Sequence, residues 1–315
     1  MEITFICPAM SKPTGGVKVI YKFAELLRAN GVKASVLHPG DSNFACTWFE
    51  HEAPLRRGRP LKAPDDFAVV PEVWALAYAE KFYKAKIAYA IFVQNGYLIS
   101  WGVKSAEYFR LRSAYETAKV VMSISEDTTQ MIMTVFPDLD RTKIVRLYPH
   151  IGREFRGIRK TKWISYMPRK LTEHSQKLGF YLSSHLPPNW SLVAVENRSE
   201  QEVAKVFAQS SIFLSFCDQE GCPLPPLEAA LSGNLVIGYT GQGAKEYFSP
   251  PNFQEIQNGD FQSFVRAVIE GVEGVEDGLL DRNDFLAGIN ALREEYGPEN
   301  ELRHLLDFAK AVGPN

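Results

Sequence analysis

The chain has 315 residues and a net charge of −2, with 45% hydrophobic, 12% aromatic and 23% charged residues. That length suits two domains or one large one, and the composition excludes a disordered, collagen-like or coiled-coil chain. With 35 Lys and Arg against 37 Asp and Glu, there is no basic surplus for a general grip on nucleic acid.

Residues 3–7 alternate apolar and polar and read as a strand. They run into Pro8, Ser11, Pro13 and a turn at Gly15 and Gly16. Val17, Ile20, Ala24 and Leu27 then recur at helical spacing, and Gly31 stands where a left-handed cap ends that helix. Residues 33–38 are a second strand. Strand, glycine turn, helix, strand is a βαβ unit and implies a parallel sheet. Residues 41–65, with Arg56, Arg57 and Arg59, have poor core-forming composition and read as a mobile, irregular loop. Strands follow at 67–70, 87–93 and 120–125, then a helix to Phe136 and a closing strand at 143–147.

A second series begins at a strand over 163–166. A helix over 171–182, a strand at 191–195 and a helix opened by the Ser199/Glu202 capping box come next. A strand at 212–216 leads to a helix opened by Pro225 and Pro226 and ended near Gly233. The strand at 235–238 is followed by a glycine turn, Thr240-Gly241-Gln242-Gly243, and the tail from 260 to 312 is mostly helical. The fold class is therefore α/β, with two doubly wound Rossmann-like domains facing a cleft. The boundaries are 1–155, 156–298 and a final helix at 299–315 that crosses back to the first domain. Its apolar face is Leu302, Leu305, Leu306 and Phe308.

No segment is long and apolar enough to span a bilayer, and the N-terminus lacks the basic start and apolar core of a signal peptide. The four cysteines, Cys7, Cys46, Cys217 and Cys222, fit neither a zinc site nor a disulfide framework. They read as packing or loop residues in a reducing cytoplasm. The six histidines show no metal-ligand spacing. No metal and no cofactor is expected.

In doubly wound sheets ligands bind beyond the carboxyl ends of the strands. There Glu220 and Glu228 stand eight residues apart, the first in a loop and the second in the first turn of a helix. The turn Gly221-Cys222-Pro223-Leu224 between them gathers backbone N–H groups and a helix N-terminus, a point that attracts anions or hydroxyls. On spacing alone, Glu228 serves equally as a charge on the helix dipole or as a ligand contact. Arg169 and Lys170 follow the first strand of the second half. They are a phosphate site or a solvated basic pair, with Lys177 the alternative second cation. Gln94 and Asn95 after the fourth strand hold a ligand's hydroxyls or simply cap a turn. Pro71-Glu72 and Ser125-Glu126 end neighbouring strands on the same side.

The stretch 211–248 resembles the Glu-x7-Glu signature of family 4 retaining glycosyltransferases of the GT-B fold. The resemblance implies a transfer of sugar from a nucleotide-diphosphate sugar to a glycan or glycolipid hydroxyl, in surface polysaccharide or glycolipid synthesis. It implies that Glu220 contacts the transferred sugar near the reacting carbon and that Glu228 accepts hydrogen bonds from the ribose. Gly221, Cys222, Pro223 and Leu224 cradle the sugar, and Arg169 and Lys170 bind the diphosphate without a metal. Gly15 and Gly16 form the donor-side glycine loop, and the loop of Asn197 receives the base. Cys222 stands where members often carry an aromatic residue, which leaves the sugar open. Gln94-Asn95 stands where they often carry histidine, and the resemblance implies that this pair holds hydroxyls of sugar or acceptor. The partners implied are small substrates, with no nucleic acid and at most peripheral membrane contact. A sugar-nucleotide epimerase and a non-catalytic sugar-nucleotide-binding protein are the alternatives. Base, linkage and oligomeric state stay open.

Overall fold

The computed structural model describes residues 1–40 and 43–313. The chain divides into two compact units, Met1–Pro149 with Glu299–Asn315, and His150–Pro298.

The first unit contains β1 (Glu2–Ile6), α1 (Gly15–Ala29), β2 (Ala34–Leu37), β3 (Asp66–Pro71), α2 (Ala75–Ala85), β4 (Ala88–Val93), α3 (Tyr108–Thr117), β5 (Val120–Ser123), α4 (Glu126–Val135) and β6 (Ile144–Arg146). The strands pair in parallel in the order β2-β1-β3-β4-β5-β6. All six residues of β3 are buried, as a strand covered on both faces requires. Gly31 closes α1 with φ of +81°, the left-handed conformation in which a Cβ is strained.

The glycine pair is not a turn. Gly15 and Gly16 are the first two residues of α1, and Thr14 is the N-cap without a side-chain hydrogen bond to the helix. The loop expected over 41–65 begins with Asp41 and Ser42, which lie outside the described residues. From residue 43 it is anchored, against its composition. Arg56 is buried and donates to both carboxylate oxygens of Asp66, at 2.8 and 2.7 Å. Backbone bonds join the loop to β2: Val36 N–H donates to the Pro54 carbonyl and Arg56 N–H to the Val36 carbonyl, each at 2.8 Å. The partners are distant in sequence, so composition alone did not reveal them.

The second unit contains β7 (Trp163–Tyr166), α5 (Thr172–Leu182), β8 (Ser191–Ala194), α6 (Glu200–Gln209), β9 (Ile212–Glu220), α7 (Leu224–Leu231), β10 (Leu235–Gln242), β11 (Phe253–Glu255), α8 (Phe261–Glu276) and α9 (Asn283–Glu295). Its parallel order is β11-β10-β9-β7-β8. Ile164, Ile212, Leu214, Ile237, Phe264 and Val268 fill its core. The Ser199/Glu202 capping box opens α6.

The final helix α10 (Pro298–Val312) has Leu305, Phe308 and Val312 buried. Within the first unit the Phe308 ring lies 6.4 Å from that of Phe67, and Lys119 Nζ donates to the Val312 carbonyl at 3.3 Å.

Candidate functional site

The expected residues fall into two sets, one in each unit. In the second unit, β9 and β10 run past the ends assigned to them from sequence. Glu220 is the last residue of β9, not a loop residue, and pairs with Gln242 across a bulge between Thr240 and Gln242. The expected glycine turn therefore begins inside β10. Gly241, Gln242 and Gln219 all take positive φ, of 59°, 72° and 44°. These left-handed residues redirect both strand ends, which an apolar alternation does not reveal. Gly243 N–H donates to the Glu220 carbonyl at 3.0 Å. A Cβ on Gly243 would come within 2.0 Å of the Gly221 carbonyl oxygen, so only glycine lets the two segments meet.

The turn after Glu220 is held from behind. The buried Tyr247 hydroxyl donates to the Pro223 carbonyl at 2.6 Å. Gly221 and Pro223 are buried, while Cys222 and Leu224 are half-buried. Leu224 already belongs to α7, whose N-cap is Pro223 with prolines following at once. Glu228 is consequently one turn inside α7 and not in its first turn. The helix-dipole reading weakens, because that field falls off within the first turn.

Glu220 is the partly buried carboxylate of this set. Its carboxylate forms an ion pair with Lys170. Its Oε1 is buried and has no hydrogen-bond partner among the described residues. A buried carboxylate oxygen without a partner is costly. Arg169 is exposed and makes no ion pair among the described residues. The pair follows β7 and precedes Leu171, whose φ of 47° turns the chain into α5. Lys177, the alternative cation, pairs with Glu173 at 2.5 Å on the exposed face of α5. Asn197, exposed with φ of 52°, follows β8. Burial, with the field of Glu220 next, pushes the Cys217 thiol well above its usual range. Cys7 is raised to about 12, by burial first and the field of Cys46 second. Among the described residues no cysteine forms a disulfide.

A cavity of about 680 Å³ opens beside this set, lined by Cys217, Gly241, Gln242, Lys245, Gln257 and Asn258. None of the expected donor residues lines it. Among the described residues, no group of three or more His, Cys, Asp or Glu could hold a metal. No helix is long and apolar enough to cross a membrane.

In the first unit, a Cβ on Gly16 would lie 2.9 Å from the Gln94 side-chain oxygen, so the Gln94 amide rests on the first turn of α1. Asn95 caps the next turn, its Oδ1 accepting from Tyr97 N–H at 3.0 Å. Asn95 N–H donates to Glu72 Oε1 at 3.1 Å. Glu72 is 5% exposed, and burial raises its carboxyl to about 7 against the backbone bonds that lower it. The sequence placed Glu72 at the right strand end but gave no sign that it is buried. A single carboxylate directly after the apolar run over residues 67–71 is the available signal.

No family model matches the chain. An alpha-1,6-glucosyltransferase of Actinobacillus pleuropneumoniae serotype 7 (strain AP76) is 25% identical over 326 residues, covering 99% of this chain and 94% of the relative. Among solved structures, Anabaena HepE in complex with UDP superimposes with a TM-score of 0.76 at 12% identity, covering 99% of this chain and 100% of that one. The lipopolysaccharide outer core galactosyltransferase WaaB in its apo form gives 0.67 at 14% identity, covering 99% of each. The two parallel-sheet α/β units are those of the GT-B fold that these structures share.

Proposed function

We propose that the chain is a glycosyltransferase that moves a sugar from a UDP-sugar to an acceptor hydroxyl in surface polysaccharide or glycolipid synthesis. The observation that carries the reading is Glu220, with its unpartnered buried oxygen, ion-paired to Lys170 beside the free Arg169. The full-length likeness to a curated glucosyltransferase, and the UDP held by HepE, support UDP as the nucleotide and glucose as the first sugar to try. The epimerase and binding-protein alternatives are not favoured, because the relatives similar along the whole chain are transferases.

In this reading Glu220 accepts from the sugar near its reacting carbon and offsets the oxocarbenium charge. Arg169 and Lys170 hold the diphosphate, whose negative charge grows as the bond to the sugar breaks. The acceptor oxygen bonds the anomeric carbon on the face the diphosphate leaves, and its proton passes to the leaving phosphate oxygen. Configuration is retained, and no protein base is needed. Glu228 accepts from the ribose diol, the turn from Gly221 to Leu224 cradles the sugar, and the Asn197 loop takes the base. Gly15, Gly16, Gln94 and Asn95 serve the donor and acceptor from the first unit. Fixed cations take the place of a metal.

Thermal-shift titration with UDP, GDP, ADP and dTDP tests the nucleotide. A site filled to 100 times Kd stabilises by about 2.7 kcal/mol. Incubation with UDP-glucose and a set of glycan and glycolipid acceptors, followed by proton NMR of the anomeric signal, tests transfer and stereochemistry. Stabilisation by UDP and an α-linked product are expected. Isomerised donor, or binding without UDP release, refutes the reading.

A further inference from the structure

Glu72 is a buried carboxyl that the proposed transfer does not use. It follows β3 directly, and its carboxylate faces the start of the loop after β4. Asn95 N–H donates to its Oε1 at 3.1 Å, and the backbone of Gln94 and of Glu72 itself also bonds to it. The rest of that loop is built around the same anchor. Gly96 lies so close to α4 that a Cβ would come 2.5 Å from the Met131 Cβ. The Tyr97 hydroxyl donates to Asp127 Oδ1 at 3.1 Å. The loop is thus clamped by α4 at its far end and by Glu72 at its near end. The near end carries Gln94, whose amide covers Gly16.

We propose that Glu72 is a positioning residue: its ionised carboxylate holds the Gln94–Asn95 backbone, and so keeps the Gln94 amide against the first turn of α1, where the first unit meets its substrate. The functional part of this inference rests on the transferase reading above.

The chemistry follows from the inventory of donors and acceptors. An ionised carboxylate accepts at both oxygens, so it serves the Gln94 and Asn95 N–H groups together. A protonated carboxyl turns one oxygen into a donor, and two N–H groups then compete for the other. Burial raises Glu72 to about 7, which puts the change within the working range of most enzymes. The Tyr115 hydroxyl on α3 is the ionisable group that shares its field. That hydroxyl is buried, held well above its usual range by burial first and Glu72 second, and has no hydrogen-bond partner among the described residues. It is therefore neutral across the range and does not titrate against Glu72. Among the described residues, burial and backbone bonds account for the shift of Glu72.

Glu72→Gln in the full chain tests this. The wild-type backbone amide of Asn95, followed by two-dimensional NMR, is expected to shift with a midpoint near pH 7, and the Gln94 side-chain amide with it. Glu72→Gln should abolish both midpoints while circular dichroism stays native. In parallel, kcat/KM for UDP-glucose should fall below pH 7 in the wild type. The variant should give a flat profile between pH 6 and 8, about 10- to 100-fold lower at pH 8, the size expected when a contacting group is misplaced. A purely structural Glu72 would lower stability and leave the acid limb in place. Persistence of the Asn95 midpoint in Glu72→Gln, or its absence from the wild type, overturns the proposal. The NMR titration needs no turnover, so a protein that acts on no UDP-sugar refutes the transferase reading while the positioning of the loop is still decided.

Discussion

Replacing Glu220 by glutamine removes one charge and keeps the shape, and the structure separates its two possible costs. The cost to the fold is bounded by exposure. Lys170 leaves 45% of its side chain in solvent and Glu220 leaves 17%, so their ion pair is well screened. A pair that wet contributes at most about 1 kcal/mol. In a unit of this size that corresponds to a Tm change of about 2–4 °C. The cost to catalysis is larger. A preorganised contact to developing charge contributes about 2.7–4 kcal/mol, or 10²- to 10³-fold in kcat. Steady-state UDP release from UDP-glucose, with calorimetric Tm and UDP affinity on the same samples, reads both. Glu220→Gln is expected to lose kcat by at least about 10²-fold, with UDP affinity and Tm little changed. Lys170→Met is expected to weaken UDP by roughly 10- to 150-fold, the range for a charged hydrogen-bonding partner. Near-wild-type turnover in Glu220→Gln refutes the site assignment. A fall in Tm well beyond the bound above would place Glu220 in the fold instead.

Glu228→Ala should raise the donor KM by roughly 10- to 150-fold with kcat little changed, since the ribose is held alike in ground and transition states; unchanged KM would return Glu228 to the helix surface. Turnover should survive excess EDTA, and complete loss restored by Mg or Mn would overturn the metal-free mechanism. Phe308 is fully buried beside Phe67, so Phe308→Ala should cost about 3–5 kcal/mol and lower Tm by roughly 6–20 °C. An unchanged Tm would mean that α10 does not help hold the first unit. Burial raises Asp66, but its bonds from Arg56 and the Lys62 N–H outweigh this and hold it below 3.8. Its contribution is therefore fully present above pH 3.8 and lost as pH falls through the lowered value. Urea midpoints for wild type and Asp66→Asn should converge with acid, and a constant gap would refute the pairing.

The order of strands and helices, and hence two parallel α/β series, was legible along the chain. Each strand buried on both faces is a short apolar run, and each helix carries its own punctuation, such as Gly31 and the Ser199/Glu202 box. These signals are local, spanning one turn or one strand. The Glu220/Glu228 spacing was legible for the same reason, since eight residues span a single strand–turn–helix junction. What tertiary structure decided involves partners far apart in sequence or backbone angles that composition does not encode. β9 and β10 run on past their apolar stretches through left-handed Gln219, Gly241 and Gln242, which redirect the strand ends and leave Glu220 as the last residue of β9. Lys170 meets Glu220 across fifty residues of chain because β7 and β9 are neighbours in the sheet. Asp66 holds Arg56 and so anchors a loop whose composition reads as mobile. Glu72 is an ordinary carboxylate in the sequence. It becomes a buried one with a raised pKa only because β3 and β4 pair side by side and bring Gln94 and Asn95 over it, away from water.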